Sequence, residues 1–114
     1  MIIERKETID DDDGKLGVID TIFESSNILR SIYFPKTNTL YLSFSYGQTY
    51  RYDNVDNELY ENFEKADSQG KYFNSNIKNN SAIPYQRSYK LYDSEIEDTK
   101  KIISEWKEKN KNQL

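Results

Sequence analysis

The segment from Ser68 to Tyr92 combines cations with aromatic side chains and contains no acidic residue. Cations neutralise phosphates, and aromatic rings stack on bases, so this composition is typical of a surface that binds single-stranded nucleic acid. Four cations over this length are also ordinary for a solvated surface, and that alternative stays open. The candidate nucleic-acid-binding residues, including one cation from an earlier strand, are Arg51, Lys71, Asn74, Lys78, Arg87 and Lys90.

Catalytic chemistry has little support in this sequence. The chain contains neither Cys nor His, so thiolate sites and the usual near-neutral general base are excluded. Carboxylates are plentiful, but no pair of them stands out as an acid and a base. We therefore predict a protein that is not an enzyme, with no catalytic residues and no cofactor.

An acidic cluster, Asp10 to Asp13 followed by Gly14, raises the question of calcium. An EF-hand loop has Gly at its sixth position, which would place Ile9 at the first position, where an Asp is required. No helical pattern flanks the cluster. The sequence thus predicts a solvated turn and no metal site.

Size and charge limit the possibilities further. The chain has 114 residues and a mass of 13.6 kDa, which corresponds to one domain. Its net charge of −4 argues against nucleic-acid binding through the whole surface. No apolar run has the length of a signal segment or a membrane span. These features predict a cytoplasmic protein with no membrane partner.

Apolar alternation predicts a three-stranded antiparallel meander in the middle of the chain. The first two strands lie on either side of a turn at Pro35 to Asn38, and a second reversal follows Phe44. With a three-residue loop of Ser45, Tyr46 and Gly47, the apolar residues of the two strands lie on the same face of the sheet. A two-residue loop would place them on opposite faces. In this register Tyr50 and Tyr52 extend the inner face formed by Leu40, Leu42 and Phe44, and Arg51 lies on the outer face beside Tyr41.

Two short helices should follow the meander. Asp56 can cap the first, whose apolar positions are Leu59, Phe63 and Ala66. After it, either Gly70 terminates the first helix or Ser68 caps a second one. The fold class predicted is therefore α+β, with the order β-β-β-α-α.

Segments on both sides of this unit carry weaker patterns. Residues Ile2 to Ile9 and Lys15 to Phe23 predict an N-terminal hairpin or a loosely ordered arm, and residues 83–91 predict a strand or an arm. A capping box at Ser94 to Glu97 predicts a C-terminal helix with a narrow apolar stripe. This stripe is a candidate protein-binding or homodimer surface, or it folds back on the sheet; its residues are Ile96, Ile102, Ile103 and Trp106.

Ordered sequence pieces in the middle of the chain resemble the KTSC domain, a family named for its presence at the C-terminus of some lysyl-tRNA synthetases and also found as stand-alone bacterial and phage proteins. These pieces are Ser25-Ser26-Asn27-Ile28, Tyr33, Leu40-x-Leu42-x-Phe44, Gly47, Tyr50-x-Tyr52, Val55, Tyr60, Ala66-x-Ser68-x-Gly70 and Phe73-Asn74 with Ile77. The resemblance implies the same β-β-β-α-α unit. It also implies RNA binding, because the domain occurs in some lysyl-tRNA synthetases.

The predicted organisation is an extension at 1–22, a KTSC-like domain at 23–80, and an extended segment with an amphipathic helix at 81–114. The leading functional hypothesis is a small non-catalytic module that binds RNA or another single strand. The alternative is a phage or bacterial accessory protein that docks on a host protein, in the host cytoplasm if it is phage-encoded. Two features support that alternative: the net negative charge of the chain and the apolar stripe.

Overall fold

A computed structural model describes residues 1–111 as one six-stranded antiparallel sheet with three helices. The strands are β1 (Ile2–Ile9), β2 (Leu16–Phe23), β3 (Ile28–Phe34), β4 (Thr39–Phe44), β5 (Gln48–Tyr52) and β6 (Tyr85–Lys90). The helices are α1 (Asn57–Lys65), α2 (Gln69–Asn76) and α3 (Asp93–Asn110). The strands lie in the sheet in sequence order, from β1 at one edge to β6 at the other.

The α+β class is confirmed, but the prediction of a three-stranded sheet is wrong. The N-terminal hairpin joins the free side of β3, and β6 joins the free side of β5. Edge strands bury few side chains, as the mostly exposed residues of β1 and β6 show. Their alternation therefore indicated strands without indicating which strand each would pair with.

The acidic cluster forms the turn of the β1–β2 hairpin. The Asp10 carboxylate accepts from the Asp12 N–H at 2.9 Å, and that of Asp13 accepts from the Lys15 N–H at 2.9 Å. The Lys36 ammonium group lies 2.6 Å from both carboxylates. Turn formation and ion pairing therefore account for these acids, and the predicted hairpin is confirmed.

The register predicted for the β4–β5 hairpin is also confirmed. Leu42 pairs with Tyr50 and Leu40 with Tyr52. Gly47 has φ of 99°, and its N–H donates to the Phe44 carbonyl at 2.8 Å. A residue in this left-handed region closes the three-residue loop, which is why Gly occupies the position.

Capping residues define where the helices begin. Asp56 accepts from the Leu59 N–H at 2.8 Å, and Ser68 accepts from the Lys71 N–H at 3.3 Å, so both predicted caps are confirmed. Gly70 lies inside α2 and does not terminate α1. The start of α3 was predicted too late: Glu95 accepts from the Tyr92 N–H at 3.0 Å, so the helix begins at Asp93.

The apolar core lies between one face of the sheet and helices α1 and α2. The rings of Tyr33 and Tyr60 stack with centroids 4.2 Å apart, and Phe63 packs edge-on to Phe23. Tyr52 is buried in this core and Tyr50 is half-buried against it, as the inner-face prediction required. The other buried residues of the core are Ile19, Ile28, Leu40, Leu42, Phe44, Val55, Phe73, Ile77 and Ile83.

Helix α3 packs against β2 and the β4–β5 turn. Thr99 is 4% exposed, and Lys107 lies 3.1 Å from Glu24. Ile22 of β2 is buried and alternates with Thr21, which contacts Tyr60 of α1, so Ile22 lies on the opposite face of the sheet. No helix among residues 1–111 is both long and apolar enough to cross a membrane.

Buried tyrosines should make the fold sensitive to alkaline pH. Burial raises the pKa of Tyr33 to about 12, and burial likewise raises the pKa values of Tyr52 and Tyr60. Since the folded-state pKa of each phenol lies above the unfolded value, their contribution to stability is complete below pH of about 10 and falls as pH rises through the folded values.

We expect the free energy of unfolding to fall steeply above pH of about 10. Urea titrations at increasing pH, with tyrosinate absorbance recorded in parallel, test this. A Tyr33→Phe variant should show a shallower fall, whereas the exposed Tyr92→Phe should behave like the parent. A stability independent of pH in this range would contradict the prediction.

Candidate functional site

An open cleft of about 380 Å³ lies between the inner face of β4, β5 and β6 and the C-terminal half of α2. Six aromatic side chains and four polar ones line it. The lining residues are Asn27, Phe44, Tyr46, Tyr50, Tyr52, Phe73, Asn74, Lys78, Asn79 and Tyr85. None of these is acidic, although the chain contains 20 Asp and Glu residues. The cleft therefore differs in charge from the protein as a whole.

Aromatic rings form the floor and the rim of the cleft. Phe44 contacts Phe73 at a centroid distance of 5.6 Å and Tyr46 at 6.0 Å. Tyr46 and Tyr85 are 62% and 64% exposed, so their rings are accessible to a ligand, whereas Tyr52 is buried. Partial burial and the neighbouring Tyr50 raise the pKa of Tyr46, and the charge of Arg87 opposes this shift. Tyr46 is therefore a neutral ring near a cation at neutral pH.

Polar groups reach the cleft from two places in the chain. The β2–β3 loop contributes Asn27, whose carbonyl accepts from the Ser45 N–H at 2.9 Å. The end of α2 contributes Asn74, Lys78 and Asn79. Lys78 follows the last turn, where its N–H donates to the Phe73 carbonyl at 2.8 Å, and Asn79 adopts φ of 62°. This left-handed residue turns the chain away from the helix.

The structure brings together only some of the predicted nucleic-acid-binding residues. Asn74 and Lys78 line the cleft, and Arg87 pairs with Tyr50 across β5 and β6. Lys71 and Lys90 are exposed but do not line it. Arg51 pairs with Tyr41 on the opposite face, and its guanidinium lies 3.0 Å from the Asp53 carboxylate. A ligand in the cleft is therefore not in reach of Arg51.

Eight of the ten lining residues lay outside the predicted set, and the four of these that are exposed are Asn27, Tyr46, Asn79 and Tyr85. Tyr46 is exposed at the tip of the β4–β5 hairpin, next to Gly47. Tyr85 precedes Arg87 by two residues in the alternating segment, so it shares the inner face with that cation. Asn27 belonged to one of the family-like pieces, whereas Asn79 had no signal beyond a residue type that favours turns. Only the fold places these four side chains at one cleft.

The predicted protein-binding stripe on α3 is half-buried, not exposed. Ile96, Ile102, Ile103 and Trp106 all have intermediate burial, and Ile96 lies against Gly47. The fold-back alternative is thus what the structure shows. Docking on a host protein or a homodimer through this stripe stays a prediction.

A second depression, of about 670 Å³, lies beside the start of α1 and the tip of the β1–β2 hairpin. Its charges are largely paired with one another, as Arg5 with Glu7 and Lys36 with Asp13. Among residues 1–111, no group of three or more Asp and Glu side chains is placed to hold a metal ion. The aromatic cleft is accordingly the better candidate for a ligand site.

These features define a class: a small α+β domain whose most distinctive surface is an aromatic, carboxylate-free cleft. The sequence model of the KTSC domain family matches residues 24–80, half of the chain, so the protein belongs to that family. Nine of the ten residues that line the cleft fall within this match, and only Tyr85 lies outside it. The cleft is therefore largely a feature of the family's portion of the chain.

Comparison with solved structures agrees with this assignment. The chain is similar to a KTSC domain protein from Yersinia pestis, whose crystal structure superposes with a TM-score of 0.57 at 28% sequence identity. The alignment covers 61% of this chain and 96% of that protein. A search of curated proteins found no match.

Proposed function

We propose that the protein is a small non-catalytic binding module that holds single-stranded nucleic acid, RNA in particular, in the aromatic cleft. The observation that carries the proposal is the composition of the cleft: exposed tyrosines, free amides and a lysine, with no carboxylate, in a protein of net charge −4. A carboxylate at the site would repel phosphate, so its absence there favours a polyanionic ligand. A cytoplasmic location goes with this proposal.

Stacking would supply the contact with the bases. The rings of Tyr46 and Tyr85 are more than half exposed and stand at the rim, where an unpaired base can reach them. Each base stacked on an aromatic ring contributes about 1–3 kcal/mol and does so with little sequence preference. A duplex keeps its bases stacked internally, so this contact selects a single strand.

Cations would supply the contact with the backbone. Lys78 lies in the cleft, and Arg87 stands on the same face of the sheet next to Tyr50. Lys71 lies on α2, which precedes Lys78, and Lys90 lies on the same β-strand as Arg87, so both can extend the contact along a nucleic-acid strand. Neutralising phosphates releases counterions, so the affinity should fall as salt rises.

The test is fluorescence anisotropy of a labelled RNA oligonucleotide of mixed sequence, titrated at several salt concentrations. We expect Lys78→Glu to weaken binding by about tenfold or more. The salt slope, which is the slope of log affinity against log salt concentration, should become shallower by about 0.7. Tyr85→Ala should weaken binding by about fivefold to a hundredfold, the equivalent of one stacked base, with an unchanged slope.

Lys101→Glu is the matched control, because this lysine is exposed on α3 and makes the same change of charge. It should alter the affinity by less than about threefold, through net charge alone. Absence of binding at about 50 mM salt, where phosphate contacts are strong, would refute the proposal. Equal losses from Lys78→Glu and Lys101→Glu would place the ligand elsewhere.

A further inference from the structure

Asparagine amides without intramolecular partners are concentrated at the cleft. The described part of the chain contains ten Asn residues, and six of their amides make hydrogen bonds within residues 1–111. The four that make none in this part are Asn27, Asn62, Asn74 and Asn79, and all but Asn62 line the cleft. The cleft thus presents donors and acceptors that the fold itself does not use.

The side chain of Asn27 lies directly on the first turn of α2, and the main-chain carbonyl of the same residue accepts from the Ser45 N–H. A Cβ atom at position 70 would lie 2.7 Å from the Asn27 Oδ1, closer than any normal contact, whereas Nδ2 is 3.6 Å away. Gly70 therefore provides the space in which the Asn27 amide rests. In this way the family-like pieces at Ser25 to Asn27 and Ser68 to Gly70 meet at the cleft.

Building on the proposed function, we propose that Asn27 is a specificity-determining residue and that the base it selects is an unpaired adenine. An amide presents one donor and one acceptor side by side, and adenine presents the complementary pair, the N6 amino group beside a ring nitrogen. The edge that we place against Asn27 is the major-groove edge, N6 beside N7 in adenine, because the same edge of guanine presents two acceptors, which suit a cation instead. Here the cation, Lys78, is assigned to phosphate.

Stacking strengthens the choice of a purine. Cytosine and uracil also offer a donor beside an acceptor, but their single ring covers less of the Tyr46 and Tyr85 faces than a purine does. The volume of about 380 Å³ is in the range of a site for one small ligand, so one nucleotide at a time would be read. Neighbouring nucleotides would contact only the rim cations.

The first experiment compares labelled homopolymers of A, C and U at one salt concentration. We expect the parent to bind the A homopolymer about tenfold more tightly than the other two, and Asn27→Ala to reduce that ratio to about one. The salt slope should not change, because no phosphate contact is lost. Asn62→Ala is the matched control: this amide also lacks a partner within residues 1–111 but lies on α1, outside the cleft, and should leave the preference intact.

The second experiment tests the positioning role of Gly70. Gly70→Ala should displace the Asn27 amide and abolish the adenine preference as Asn27→Ala does, with no loss of helix in circular dichroism, since Ala is the better helix former. In the Asn27→Ala background, Gly70→Ala should have no further effect on binding and should raise the melting temperature, because the obstruction is gone. A Gly70→Ala protein that keeps the preference would overturn the positioning argument.

The outcomes separate this inference from the proposed function. Equal binding of the three homopolymers by the parent, with loss of all three in Lys78→Glu, would overturn the adenine assignment and leave the nucleic-acid module standing. A preference for guanine in a mixed-sequence competition would likewise overturn it and point to Lys78 as the reader. If no strand binds at low salt, both the adenine assignment and the proposed function are wrong.

Discussion

Replacing Gly47 with Ala should lower the free energy of unfolding by about 3 kcal/mol, from backbone strain and overpacking together. Gly47 has φ of 99°, which strains any residue with a Cβ. A Cβ atom there would also lie 2.6 Å from the Ile96 Cδ1 on α3. The variant therefore disturbs both the β4–β5 turn and the contact of α3 with the sheet. Urea unfolding followed by circular dichroism measures the loss.

Gly14 provides the matched control for the backbone effect. It has φ of 69°, but no atom lies within 4 Å of the position that its Cβ would occupy. Gly14→Ala should cost about 1–2 kcal/mol, from strain alone. The difference between the two variants then measures the Ile96 contact. Truncating Ile96 to Ala should relieve part of the Gly47→Ala defect, and strictly additive losses would show that α3 does not press on the turn.

Arg5→Met should destabilise the protein by about 1–3 kcal/mol, because it leaves a buried carboxylate without its charged donor. The Arg5 Nε lies 2.9 Å from Glu64 Oε2, and Glu64 is only 6% exposed. Glu64 also accepts from Thr21 Oγ1 at 3.0 Å, and the Tyr60 hydroxyl lies 2.8 Å from Ser31 Oγ within the same group of side chains. Thermal and urea unfolding of the variant at neutral pH test this.

Arg51→Met is the control for the loss of an arginine. Its partner Asp53 is about one-third exposed, and solvent screening leaves surface ion pairs of this kind with little net effect on stability. In a second arm, Arg5→Met combined with Glu64→Met removes both charges and should recover part of the lost stability. If the double variant is less stable than Arg5→Met alone, the unpaired charge is not what destabilises the single variant.

Several details of the fold followed from local patterns. The β4–β5 register could be worked out because only a three-residue loop keeps Leu40, Leu42, Tyr50 and Tyr52 on one face, and a slip of one residue would reverse every side chain. The caps at Asp56 and Ser68 could be recognised because capping is a contact between residues three apart. The start of α3 was misplaced because Ser94 to Glu97 resembles a capping box, whereas Glu95 bonds to the Tyr92 backbone.

The candidate site was only partly predictable. The basic and aromatic character of residues 68–92 drew attention to Asn74, Lys78 and Arg87, all three on the cleft or on its face of the sheet. Arg51 was included because it was predicted on the outer face, available for contact; that placement is confirmed, but the cleft lies on the inner face. Tyr46 was not singled out, and Asn27 was placed only in a family-like piece, because what makes them part of this cleft is proximity to α2, which no local pattern encodes.

By itself the sequence determined the α+β class, the family, the register of the central hairpin and the absence of His and Cys chemistry. These properties depend on composition and on neighbours within a few residues. Tertiary structure alone decided that six strands form one sheet, that α3 covers part of it, and that Asn27 meets Gly70 at an aromatic cleft. The physical reason is that edge pairing and cleft formation join residues distant in sequence. Such contacts depend on the burial of whole faces, and alternation within one strand does not specify its partner.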